Sequence, residues 1–90
     1  MITLVEFADL VNEELSVIYH PNQNNRFSCC FAHGEIKMKL CLISEFGNGH
    51  TPEEAMNKYA KAISGKTIIF HAMSDYLRKE YHVPMFKDGV

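Results

Sequence analysis

Two stretches of this chain repeat apolar residues at three- and four-residue intervals, and elsewhere the interval drops to two. Leu4, Phe7, Ala8, Val11 and Leu15 form the first helical stripe, with Glu6, Asp9, Asn12 and Glu13 opposite it. Thr3 and Glu6 have capping-box spacing, and Ile2 and Phe7 are placed as the hydrophobic staple that fixes the entry of the chain. The second stripe is Ala55, Met56, Tyr59, Ala60 and Ile63. Its start is marked by Thr51 as N-cap, Pro52 at the first helical position, and Glu53 and Glu54 at the positive end of the macrodipole. Lys58 and Lys61 lie near the negative end, and Gly65 supplies a left-handed closing residue.

The remaining pattern predicts strands. Ser16 to His20 is short, β-branched and aromatic, and ends at Pro21 and the polar run Asn22, Gln23, Asn24, Asn25, which reads as a loop. From Arg26 to Ser44 the period is two, and a His33-Gly34 turn folds the segment into a hairpin. With a two-residue turn, Phe31 faces Ile36, Cys29 faces Met38 and Phe27 faces Leu40, all on one apolar side. The other side carries Arg26, Ser28, Cys30 and Ala32 beside Glu35, Lys37, Lys39 and Cys41. Phe46-Gly47-Asn48-Gly49-His50 reads as a loop offering positive φ. Thr67 to Ala72 reads as a well-covered strand with Ile68 and Phe70 on one face and Ile69 on the other.

These elements predict an α+β fold of α-β-β-β-α-β order: one antiparallel sheet with two helices packed on one face. The domain spans 1–73, and 74–90 is a C-terminal tail. In that tail either Ser74 caps a short helix through Tyr81, or Tyr81-His82-Val83-Pro84 runs extended.

Length and charge narrow the function. Ninety residues support one core, and a formal charge of -2 provides no global field for nucleic acid or anionic lipid. No apolar stretch approaches the ~18 residues a membrane span needs, and the N-terminus carries Glu6 and Asp9 where a signal peptide is basic. Three cysteines, Cys29 and Cys30 adjacent and Cys41 apart, do not make a disulfide framework, so a reducing, cytoplasmic compartment is expected.

Chemistry is sparse. Zinc sites use ligands paired at short spacing, whereas Cys29 and Cys30 on a strand point to opposite faces, and in the hairpin register Cys30 and Cys41 lie roughly 13 Å apart at ~3.3 Å per residue. No metal or cofactor is implied. Cys30, opposite Lys37, has one ingredient of a nucleophile but no orienting carboxylate or oxyanion turn, so a small hydrolytic or ligand-sequestering domain ranks third among the functions considered. The glycine loop before the second helix is a cap, since Glu53 and Glu54 would repel a phosphate. Two surfaces remain. Arg26, Lys37 and Lys39 form a modest basic sheet face for nucleic acid or a partner, and Tyr76, Leu77 and Tyr81 form a rim suited to a protein partner or to homo-oligomerisation.

The segment Phe46 to Ile63, FGNGHTPEEAMNKYAKAI, resembles the strand-loop-helix of HicB-like antitoxin domains, which implies a nucleic-acid-associated regulator. The helix-strand-strand-strand-helix order also resembles double-stranded-RNA-binding domains, although the second helix here opens with acids where that family has lysines. The combination LISEFGNG, TPEEA and YAKAISGKTIIF resembles short phage and prophage proteins of Gram-positive bacteria. That resemblance implies a small accessory protein in a bacterial host's cytoplasm that inhibits or modulates a host or defence protein, as anti-CRISPR proteins do. The expectation placed first is such a non-enzymatic binding protein, ahead of the nucleic-acid-associated regulator.

Overall fold

The computed structural model describes residues 1–24 and 26–87; Asn25 of the predicted loop and residues 88–90 of the predicted tail lie outside the described residues. Its elements are α1 (Leu4–Val11), β1 (Leu15–His20), β2 (Arg26–Phe31), β3 (Gly34–Met38), β4 (Cys41–Ile43), β5 (Gly47–Gly49), α2 (Pro52–Ile63), β6 (Thr67–Phe70) and β7 (Lys79–His82). The α+β class is as expected, but the strands make two antiparallel sheets. One has the order β1-β2-β5 and the other β4-β3-β6-β7.

Both helices form where the capping signals lie. The Thr3 hydroxyl accepts from Glu6 N–H while the Glu6 carboxylate accepts from Thr3 N–H, and Leu4, Phe7, Ala8 and Val11 are buried. The stripe does not continue to Leu15: the helix ends at Asn12, whose φ of 56° turns the chain so that Leu15 opens β1. Thr51 Oγ accepts from Glu54 N–H at 3.1 Å, Pro52 is the first helical residue, and Gly65 follows the helix at φ 74°.

The predicted β2–β3 hairpin does not form. Both edges of β2 are taken, one by β1 from Leu15–Phe31 to His20–Arg26, the other by β5 through Phe27–Gly49 and Cys29–Gly47. At the end of β2 the Phe31 amide donates to the Tyr59 hydroxyl at 3.1 Å and the Ala32 amide to the Glu14 carbonyl at 2.9 Å. The chain therefore leaves the first sheet at Phe31 and enters the second at Gly34. There β3 pairs with β4, Met38 opposite Cys41, and with β6, Ile36 opposite Ile68. The tight turn is Lys39-Leu40, with Lys39 at φ 53°. As a result Phe31, Cys29 and Ile36 are buried as expected, whereas Met38 is half-exposed and Leu40 wholly exposed at the hairpin tip.

The glycines of Gly47-Asn48-Gly49 also differ from their prediction as a loop. They form a strand, and neither has a positive φ. Their role is clearance: a Cβ on Gly47 would lie 2.3 Å from Ala55 O and Tyr59 N, and one on Gly49 2.7 Å from Ala55 N. Absence of side chains lets α2 lie directly on β5, with Ala55, Tyr59, Ala60 and Ile63 buried beneath it.

The second sheet holds the most covered strand, β6, between β3 and β7. Ile68 and Phe70 join the core, and Ile69 is buried on the other face between Glu35 and Glu80. The segment read as a tail contributes to this sheet: β7 pairs with β6, Val83 is fully buried, and the Phe86 ring stands 5.6 Å from Phe7. Ser74 Oγ accepts from Leu77 N–H, but only a turn follows and no helix runs to Tyr81, which lies in a strand; the 81–84 stretch takes the extended alternative. An aromatic cluster of Phe7, Phe31, Phe70 and Tyr81, in edge-to-face contacts, joins α1 to both sheets.

Candidate functional site

The basic face predicted on one hairpin is divided between the two sheets. Arg26 begins β2 and donates to Gln23 Oε1 at 2.8 Å; its Nε is buried with no partner among the described residues. Lys37 lies on β3, 4.0 Å from Glu80, and Lys39 sits at the hairpin turn. Beside Arg26 the first sheet instead carries a side-chain ladder, His20 Nε2 to Ser28 Oγ and Ser28 Oγ to Asn48 Oδ1, each at 2.9 Å. Of the predicted rim, Tyr76 and Leu77 are exposed, while Tyr81 is drawn into the core against Phe7 and Phe70.

A polar cluster that periodicity did not reveal sits where α1 and the second sheet meet. Glu13 follows the helix cap, and its carboxylate is almost fully covered. One oxygen receives Lys79 Nζ at 2.6 Å and the other lies 3.0 Å from His71 Nε2. Lys79 also donates to the Val11 carbonyl at 2.9 Å. Burial raises the Glu13 pKa, but the hydrogen bonds and charges of Lys79 and His71 outweigh it, and the group is held below the ordinary carboxylate range. His71, at φ 54°, donates its amide to the His33 carbonyl, and the two rings stack at 4.8 Å.

His33 and His71 line a groove of about 550 Å³ between the sheets, together with Cys30, Ser44 and Glu45. A histidine held by a carboxylate is the base half of a nucleophile–base pair. The other half is poorly provided: burial pushes the Cys30 thiol up, and burial with the neighbouring Cys30 pushes Cys29 up to about 12. Cys41 is exposed at the hairpin end. Among the described residues, no three His, Cys, Asp or Glu side chains are grouped to hold a metal ion. The cluster ties the end of α1 to the ends of β6 and β7.

The sheet edges differ more sharply. Among the described residues the outer strands are β1, β4, β5 and β7. β4 and β5 have three residues each, β5 lies under α2, and β7 carries Lys79 and Glu80. Shortness, cover and charge are the usual protections against unwanted strand pairing. Among the described residues β1 has none of them: it is six residues long, without a bulge in its register and without Lys, Arg, Asp, Glu or Pro. Val17 is 40%, Ile18 51% and Tyr19 50% exposed, so apolar surface lies open on both faces of the strand. Alternation in a strand accounts for Leu15, Val17 and Tyr19 sharing the face of Phe27, Cys29 and Phe31, and for Ile18 lying opposite. The strand itself was legible in the sequence. Its place at an edge was not, because that depends on β6 pairing with β3 and β7 in a second sheet and not with β1.

No helix among the described residues is long and apolar enough to cross a membrane. Comparisons with protein-family models, with curated proteins and with solved structures gave no match.

Proposed function

We propose that this chain is a small non-enzymatic binding protein, of the phage or prophage accessory kind its sequence resembles, that acts by occupying a surface of a host or defence protein. The observation that carries the reading is β1, a six-residue outer strand without Lys, Arg, Asp or Glu and with apolar side chains exposed on both faces. Such an edge presents a row of main-chain donors and acceptors to an added strand. The division of Arg26 from Lys37 and Lys39 between two sheets favours a protein partner over nucleic acid, and the raised thiol of Cys30 favours binding over hydrolysis.

The test is affinity capture from nuclease-treated bacterial lysate with the wild-type chain and with Val17→Lys and Ile18→Lys, after circular dichroism shows that both variants are folded. Wild type should retain a discrete protein in stoichiometric amount, and each lysine should reduce its recovery at least tenfold. Recovery of nucleic acid alone before nuclease treatment, with no protein afterwards, would overturn the reading.

A further inference from the structure

We infer that the occupant of the β1 edge is an extended segment of a different protein that carries basic residues, and that those residues lie against Asp9 and Glu14. This rests on the reading of β1 as the binding edge and adds the chemistry of what binds there.

Beside the strand is a groove of about 610 Å³ between α1 and β1. Val5, Leu15, Val17 and Met56 supply its apolar surface; Val5 and Val17 are 44% and 40% exposed. Leu15 and Val17 are on the α2 side of the first sheet, and Met56 belongs to α2. A strand added to β1 would continue this sheet, and every second side chain of it would project toward the groove.

The groove has a definite charge. Asp9 and Glu14 are exposed on its lining, neither is ion-paired among the described residues, and no Lys or Arg lines it. Glu13 lines it too, but Lys79 and His71 already answer its charge. The uncompensated charge is therefore negative, so apolar side chains alternating with lysine or arginine are the complement. A second copy of this chain does not supply them: the strand it would bring by two-fold pairing is β1 itself, Leu15–His20, which has no Lys or Arg.

The experiment titrates the isotope-labelled full chain with three short synthetic peptides, alternating valine with lysine, with glutamine or with glutamate. Binding is followed by amide chemical shifts and by hydrogen-exchange protection along β1. The lysine peptide should protect β1 amides and bind at least tenfold more tightly than the glutamate peptide at low salt. Asp9→Lys combined with Glu14→Lys should remove that preference while leaving the fold intact. Equal binding of all three peptides at β1 would overturn the basic-partner inference and leave the edge as a binding strand. No protection of β1 by any peptide would overturn both. Concentration-dependent protection without peptide, together with a dimer in sedimentation, would assign the edge to a second copy and overturn the inference in favour of self-association.

Discussion

At the scale of single residues, Glu13 shows how position overrides polarity. In a helical reading it belongs to the wet side of α1, but the left-handed Asn12 ends the helix one residue earlier and turns the carboxylate inward to Lys79 and His71. Because its folded-state pKa lies below that of a free glutamate, the stabilisation is fully present above the unfolded value and is lost as pH falls through the folded one. Glu13→Gln should cost about 1–3 kcal/mol at pH 7, the range for losing a charged hydrogen-bond partner at a covered site. Chemical denaturation at pH 7 and at pH 3 should show a smaller difference for the variant than for wild type. A variant with an unchanged acid-side slope would show that Glu13 contributes nothing to acid sensitivity.

Among the elements, β5 and the β3–β4 hairpin carry the sharpest expectations. Gly47→Ala places a methyl 2.3 Å from two backbone atoms of α2, and neither can yield without moving the helix. The expected loss is at least ~2 kcal/mol, within or beyond the ordinary cost of overpacking, seen as a lower thermal midpoint. Lys39, at φ 53° in the hairpin turn, bears a left-handed penalty that asparagine tolerates better. Lys39→Asn should therefore recover part of a left-handed penalty of roughly 1–2 kcal/mol, and an unchanged denaturation midpoint would count against strain at that turn. The local signals in the sequence were sufficient for both helices and for the existence of β1, β2 and β6, since caps, apolar stripes and period-two runs depend only on neighbours in the chain. Pairing was not legible. The alternation of Arg26 to Ser44 suits a β2–β3 hairpin as well as it suits two strands in different sheets, and only competition from Gly47–Gly49 for the edge of β2 separates the cases.

For the whole molecule, the C-terminal segment closes the core. β7 covers the outer edge of β6, Val83 is fully buried, and Phe86 packs on Phe7 across the molecule. A chain ending at Met73 should therefore lose its cooperative thermal transition in scanning calorimetry, and a transition unchanged from that of the full chain would show that this segment adds nothing to the core. The sequence by itself determined the α+β class, the helix boundaries set by Thr3, Thr51 and Gly65, and most of the buried apolar positions, because each follows from periodicity and capping within a few residues. Tertiary structure alone decided that there are two sheets, that Glu13, His71 and Lys79 meet, and that β1 is left at an open edge beside an acidic groove. Those features arise from contacts between residues far apart in the chain, where several pairings satisfy the same local pattern and the packing of α2 on two glycines selects one of them.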